Sequence, residues 1–401
     1  MKKTKCLNSI SQEEAVTLSR REFTKMAGGS LAVLSFGMSS AFAFDTKKTG
    51  GNPKIVWLLL RGALDSLHTI VPTFEQQYKI LRPKLSSSFK APLLSLEKGF
   101  ALHPSLINLH TWYQQKSLLP IVAVSSGYKR RSHFDGQDFL ESGKAEIDPD
   151  SGWLARAIEV KNKRALAISR STPISLRGSE HVNNWYPSRL KSSDGDIYAT
   201  LEKLYQYDDG LKKSLKSGLE VRGLVTSSMG NAKKRKGQFI DLIKDCAKLM
   251  VGEQGVDCAM LELGGWDTHN NQSNRLDRKL TELDLGLAEL KTGLGKEWKN
   301  TVIIIGTEFG RTAKENGTGG TDHGTGSALL IAGGAIDGGK VKGNWPGLEP
   351  AELYQQRGLM PTTNSFSWIG NILSQHWHFT EQELMHVFPH VKAYKHAIIR
   401  S

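Results

Sequence analysis

Cys258-Ala259-Met260-Leu261-Glu262-Leu263-Gly264-Gly265-Trp266-Asp267-Thr268-His269 decides the fold. A short, mostly apolar run passes straight into glycines, then into a carboxylate and an imidazole. That is the pattern of a buried strand ending in a polar turn. Working outward, Leu276, Leu280, Leu283, Leu287 and Leu290 recur at steps of four and three, which is one apolar helix face. Gly293 and Gly295 end that helix. Thr301–Ile305 then forms a second apolar strand and runs into Gly306-Thr307-Glu308-Phe309-Gly310-Arg311. Strand, helix and strand in this order make the right-handed unit of a parallel sheet.

The same pattern occurs twice more upstream. Lys54–Leu60 leads into Arg61-Gly62-Ala63-Leu64-Asp65-Ser66, and Leu119–Val124 leads through a basic turn into Ser132-His133-Phe134-Asp135. His103–Lys116 reads as a helix carrying Leu106, Leu109 and Tyr113. Ser132 can cap a helix over His133–Ser142, which Gly143 closes. The glycine-dense loop from Gly317 to Gly326 precedes a strand at Ala328–Ala332, and Ser367–Gln375 reads as a helix. The expected architecture is a three-layer α/β/α fold around a mainly parallel central sheet, with an insertion or cap at about 165–240. In such sheets ligands bind just past the carboxyl ends of the strands. Asp65, Ser132, Asp267 and Glu308 would therefore converge. Packed carboxylates repel and need a cation or a shared proton, and a divalent metal is the simplest resolution.

The N-terminus carries its own signal. Ser19-Arg20-Arg21-Glu22-Phe23-Thr24-Lys25 precedes a weakly apolar stretch from Met26 to about Phe42, which ends in Ala41-Phe42-Ala43. This reads as a twin-arginine export leader cleaved after Ala43, with the twin-arginine translocase as export partner and no permanent membrane span afterwards. The periplasm or the exterior is the expected location. Residues 44–401 are then one α/β domain. The formal charge of +13 stays strongly positive without the leader and attracts anions. The run Lys233-Lys234-Arg235-Lys236 lacks interleaved aromatics, so a nucleic-acid partner is not expected. Cys246 and Cys258 form no framework and no CxxC site, and Cys258 reads as a buried thiol.

Each candidate residue has a bland reading beside the chemical one. Asp65 is a metal ligand or a turn aspartate. Asp267 and His269 can face one ion. Glu308 is a ligand or the ion-pair partner of Arg311. Asp322-His323 in the glycine loop offers a carboxylate and the commonest transition-metal ligand. Ser132 is a nucleophile at a helix start or a plain cap. His133 is a base or ligand, or a satisfied core histidine. There is no Gly-x-Ser-x-Gly elbow, P-loop or His-Glu-x-x-His motif.

Taken in order, Leu60-Arg61-Gly62-Ala63-Leu64-Asp65, Leu102-His103-Pro104, Arg131-Ser132-His133-Phe134-Asp135-Gly136-Gln137-Asp138, Gly264–His269, Thr307–Arg311 and Thr321-Asp322-His323-Gly324 resemble the bacterial exported proteins of domain of unknown function 1501. That family in turn resembles the alkaline phosphatase and sulfatase superfamily. The resemblance implies an alkaline-phosphatase-like fold and one or two divalent ions, zinc, manganese or calcium. It implies ligands at Asp65, Asp267, His269, Glu308 and His323, and a nucleophile at Ser132; Asp322 beside His323 is a further candidate ligand from its place in the glycine loop. His133, Arg131 and Arg311 would assist catalysis, the arginines by holding the anion. Glu308-Phe309 stands where those phosphatases carry Asp-His, and the sulfatase Cys/Ser-x-Pro-x-Arg motif is absent. The first functional expectation is a metal-dependent hydrolase of phosphate or sulfate esters or a related anionic substrate. The alternative is a catalytically silent envelope protein that binds an anionic glycan or a protein partner.

Overall fold

Lys54–Arg61 is the strand around which the molecule is built. Ile55, Trp57 and Leu59 enter one hydrophobic cluster, Val56, Leu58 and Leu60 the other, and all six are fully buried. A strand apolar on both faces needs a layer on each side, as parallel sheets have. The computed structural model describes residues 52–187, 195–229, 238–252 and 255–400. The leader at 1–43 and the run Lys233–Lys236 lie outside the described residues.

The strands are β1 (Lys54–Arg61), β2 (Ile70–Pro72), β3 (Leu94–Ser95), β4 (Phe100–Leu102), β5 (Leu118–Ser125), β6 (Ala165–Ala167), β7 (Val182–Asn184), β8 (Cys258–Gly264), β9 (Thr301–Gly306), β10 (Ser327–Ala332) and β11 (Thr363–Asn364). Eight form the central sheet in the order β11-β5-β10-β9-β1-β8-β6-β7, while β2, β4 and β3 make a small separate sheet. Within the central sheet only β10 runs against its neighbours β5 and β9. The helices Ile107–Gln114, Phe239–Met250 and Gln272–Leu294 pack on one face. Trp153–Val160, Ser365–His376 and Glu381–Val387 pack on the other. This is the three-layer α/β/α architecture expected from the strand–helix pattern.

Local chemistry sets the boundaries. Leu276, Leu280, Leu283, Leu287 and Leu290 of Gln272–Leu294 are fully buried, and each contributes about 1.5–3 kcal/mol. Gly295 ends that helix at φ 52°. Ser132 caps His133–Ser142 by accepting from the Asp135 N–H, and Gly143 closes it at φ 68°. The expected helix at His103–Lys116 is shorter, Ile107–Gln114. His103-Pro104 disfavours helical backbone before the proline, and His103 instead accepts the Ser105 and Leu106 N–H groups. Of the stretch read as an insertion at about 165–240, β6 and β7 belong to the central sheet. The helices Gly195–Leu204 and Asp209–Met229 follow them.

Register positions the functional edge. Arg61 lies opposite Gly264 and Leu59 opposite Gly306, so β1, β8 and β9 end at one level. β10 starts at this same edge because it is antiparallel. The whole excursion from Thr307 to Gly326 therefore stays there.

Candidate metal centre

Three imidazoles meet at that edge. His133 comes from the first turn of its helix, His269 from the turn after β8, and His323 from the glycine loop before β10. The Nε2 atoms of His133 and His323 stand 2.9 Å apart, and those of His269 and His323 stand 3.0 Å apart. Asp267 Oδ1 lies 3.0 Å from His269 Nε2, 3.3 Å from His323 Nε2 and 3.6 Å from His133 Nε2. Ligand atoms of His133, Asp267 and His323 all fall within 4.8 Å of one another. Donors around one zinc-sized ion stand roughly 3–3.5 Å apart, from metal–nitrogen distances of about 2.0–2.1 Å.

The backs of the rings explain why their fronts face inward. His133 Nδ1–H donates to Glu308 Oε1 at 2.7 Å, and His269 Nδ1–H to Asp322 Oδ1 at 3.1 Å. His323 Nδ1–H donates to the Arg131 carbonyl at 3.0 Å. A backbone carbonyl only accepts, so His323 must carry its proton on Nδ1. Glu308 Oε1 also takes the Gly62 and Ala63 N–H groups at 2.8 and 3.1 Å and the Gln137 amide at 3.3 Å, so it too is an acceptor. Neutral rings fixed this way present bare Nε2 lone pairs to one another. At 2.9–3.0 Å these repel unless a proton or a cation sits among them. Acceptors behind the rings of metal-binding histidines are the usual support of such sites. The donor set and its backing therefore fit a divalent ion.

The charges are consistent with that geometry. The hydrogen bond to Glu308 raises the His133 pKa above the ordinary value. Burial, helped by the charges of His133 and Arg311, lowers that of His323. The two shifts run in opposite directions, so a proton on this pair favours His133. Burial pushes the Glu308 carboxyl up, but the bonds from His133, its own and the Gly62 N–H groups and Gln137 outweigh this and hold it low. Burial likewise opposes the ionised form of Asp267, and the Arg311 guanidinium wins, lowering its pKa.

The other expected residues have different tasks. Arg311 does not pair with Glu308. Its buried guanidinium donates NH1 to Asp267 Oδ1 at 2.5 Å, Nε to Thr321 Oγ1 at 3.2 Å, and NH2 to the Thr321 carbonyl. It is out of reach of solvent and fixes the Asp267 turn to the glycine loop. Asp65 is not brought to the cluster. It is 1% exposed and takes Arg82 NH1 at 3.0 and 2.9 Å on its two oxygens, together with the Gln272 amide at 2.5 Å. A buried carboxylate so paired has its charge balanced without a metal. Glu308 and Asp322 orient rings rather than meeting at the common point. Ser132 Oγ is engaged by the Asp135 N–H at 3.3 Å and makes none of the cluster's contacts. The Arg131 side chain bonds Gln355, so its carbonyl is what reaches the site.

Further residues support the cluster from outside it. Gln137 lies one helical turn after His133, on the same face, a spacing that could have flagged it. Phe309 is buried and stacks on the His133 ring with centroids 4.9 Å apart, covering one of its faces. Exposed Arg357 donates Nε to the His323 carbonyl at 3.0 Å, and no local signal marks it. Gly62 is required at φ 119°, because a Cβ there would sit 2.6 Å from the Asp267 nitrogen.

The fold and site define a mainly parallel α/β/α protein with a histidine–aspartate cluster at its strand ends. The family described as "Protein of unknown function (DUF1501)" matches residues 123–364, more than half of the chain, and the chain belongs to it. No curated protein matches the chain in sequence. Solved structures with some likeness include Ps i-CgsB in complex with k-i-k-neocarrahexaose, at 11% identity and TM-score 0.37, covering 73% of this chain and 68% of that one. Another is the C-terminal periplasmic domain of EcEptC from Escherichia coli in complex with Zn, at 9% and 0.36, covering 71% and 74%. A third is a protein in the alkaline phosphatase superfamily from Vibrio parahaemolyticus, at 11% and 0.34, covering 88% and 75%. Among the described residues, no helix is long and apolar enough to cross a membrane.

Proposed function

We propose that this chain is an exported metal-dependent hydrolase of phosphate or sulfate esters, or of a related anionic substrate. The observation that carries the reading is the convergence of three Nε2 atoms on Asp267 Oδ1, each ring held from behind by an acceptor. Three imidazole nitrogens and one carboxylate oxygen suit zinc first and manganese second. Calcium, which takes oxygen ligands, suits this set poorly. A bound ion of this kind polarises an ester oxygen and lowers the pKa of water.

The chain's own residues do the rest. His133, His269, His323 and Asp267 would hold the ion. Glu308, Asp322 and the Arg131 carbonyl keep each Nδ1 protonated and each Nε2 free. Arg311 fixes Asp267, and Phe309 shields one face of His133 from water. Arg357 adds positive charge beside His323 for an anionic substrate. The Ser132 oxygen serves as a helix cap, and water would be the attacking oxygen. The leader at Ser19–Lys25, cleaved after Ala43, would send the protein to the periplasm or beyond through the twin-arginine translocase.

The test is elemental analysis of mature protein purified from its own export route, beside His323→Ala and Asp267→Ala. Stoichiometric zinc or manganese in the wild type and its loss in both variants, with metal-dependent turnover of an aryl phosphate or aryl sulfate, is the expected result. Folded wild-type protein without metal overturns the reading.

A further inference from the structure

Beside the metal centre, past the ends of β6 and β8, lies an open cavity of about 630 Å³. The helix His133–Ser142 connects the two. His133 serves the centre from the first turn. Gln137, roughly 6 Å further along the axis and on the same face, forms part of the cavity wall. Gln137 donates to Glu308 at 3.3 Å and accepts from Arg61 Nε at 2.9 Å, and Arg61 also lines the cavity. A ligand in this cavity is thus one side chain away from the group that orients His133.

Two of the four acidic groups around the cavity are ion-paired. Glu262 pairs with Arg61 at 2.7 Å, and Glu282 pairs with Lys279 at 2.8 Å. Arg177 is the main opposite charge near Asp138. Glu141 is buried and takes the Ser175 N–H at 2.9 Å. Arg61 pairs with Glu262, and Arg177 donates to the Thr172 and Pro149 carbonyls, whereas Arg170 has no such bond among the described residues. It is exposed, its guanidinium lies 5.0 Å over the Tyr186 ring, and among the described residues it has no carboxylate partner. A stacked guanidinium is pre-organised and keeps its N–H edge available for an anion.

The walls indicate the ligand's chemistry. A cavity of this size is within the range that holds a whole organic ligand of about 300–1,000 Å³ pockets, well beyond one inorganic anion. Ser169, Ser171 and Thr172 add hydroxyls to the arginines. A wall this polar suits a hydroxyl-rich ligand, not a lipid chain. We propose that the cavity is a subsite for a sugar unit bearing an anionic group, with Arg170 on the anion, and that it positions a glycan substrate against the adjoining centre. The second clause rests on the hydrolase reading; the first does not.

Calorimetry at physiological salt tests it on the mature protein. The probes are a heparin-derived tetrasaccharide, its desulfated form and inorganic sulfate; the proteins are wild type, Arg170→Ala and His323→Ala. The wild type should bind the sulfated tetrasaccharide in preference to both other probes. Arg170→Ala should weaken that binding about tenfold, the worth of a charged hydrogen bond, with metal content unchanged. His323→Ala should lose metal and keep the sugar. Equal binding by Arg170→Ala, sulfate binding as tightly as the tetrasaccharide, or no binding of the sulfated tetrasaccharide overturns the subsite. Sugar binding by a wild type that carries no metal keeps the subsite and removes the hydrolase reading.

Discussion

Glu308 Oε1 stands 2.7 Å from His133 Nδ1, 175 residues away in sequence, and that bond sets which nitrogen of the ring faces the cluster. Glu308→Gln keeps the shape and removes the charge. Metal affinity should fall about ten- to a hundredfold, the usual effect of losing such an outer partner. Competition against a calibrated chelator measures it. Unchanged affinity would mean that Glu308 has no part in orienting His133.

Asp65 and Arg82 form a fully buried pair. Removing one partner of such a pair costs about 3–5 kcal/mol, because the other charge is stranded. Arg82→Met should lose stability of that order in denaturant melts while the folded fraction keeps its full metal content. Loss of metal from folded Arg82→Met would return Asp65 to the ligand set. Burial opposes ionisation of Asp65, but Arg82 wins and lowers its folded pKa. The pair's contribution is therefore present above the ordinary aspartate range and is lost as pH falls through the lowered folded value.

Glu141 has the opposite sign. Burial pushes its carboxyl up to about 7. Below the ordinary glutamate value both states hold the proton. As pH rises from there to about 7, the unfolded chain releases it first, so stability falls across that window. The full effect is on the order of 3 kcal/mol, at about 1.4 kcal/mol per pKa unit. Glu141→Gln should flatten this part of the stability profile, read from melts between pH 4.5 and 7.5. Parallel profiles for both proteins would show that Glu141 does not titrate there.

Gly62→Ala changes no proposed ligand. Its Cβ would collide with the Asp267 backbone, and its φ of 119° is strained for any L side chain. Strain of about 1–3 kcal/mol, relieved by shifting the Asp267 turn, should weaken metal binding and leave the sheet intact. Circular dichroism beside metal titration separates the two effects.

The strands were legible because a two-face burial requirement writes itself as an uninterrupted apolar run, as in Ile55–Leu60 and Val302–Ile305. The Leu276–Leu290 stripe was legible for the matching helical reason. The site was legible only as a set of residue types at strand ends. Sequence could not distribute tasks among like groups, because Asp65 and Asp267 follow similar strands. What separates them is Arg82 beside one and three imidazoles beside the other, and both settings are assembled by tertiary contact. Glu308 and Asp322 were singled out by their charge, but their aim at ring nitrogens depends on backbone paths hundreds of atoms apart. β6 and β7 leave no mark in the sequence, because three-residue strands are too short to carry a period.

His133 and His323 touch across 190 residues of chain, and each imidazole in the cluster is delivered by a different segment. Apart from the Asp267-x-His269 fragment, no local stretch could chelate an ion before the sheet has closed. An ion bound here would recognise the finished tertiary structure alone and would stabilise it by mass action. Loading then becomes a checkpoint on folding: a chain carried across a membrane as an open thread would arrive with nothing to load, whereas one carried across already folded could bring its ion from the compartment where it was made.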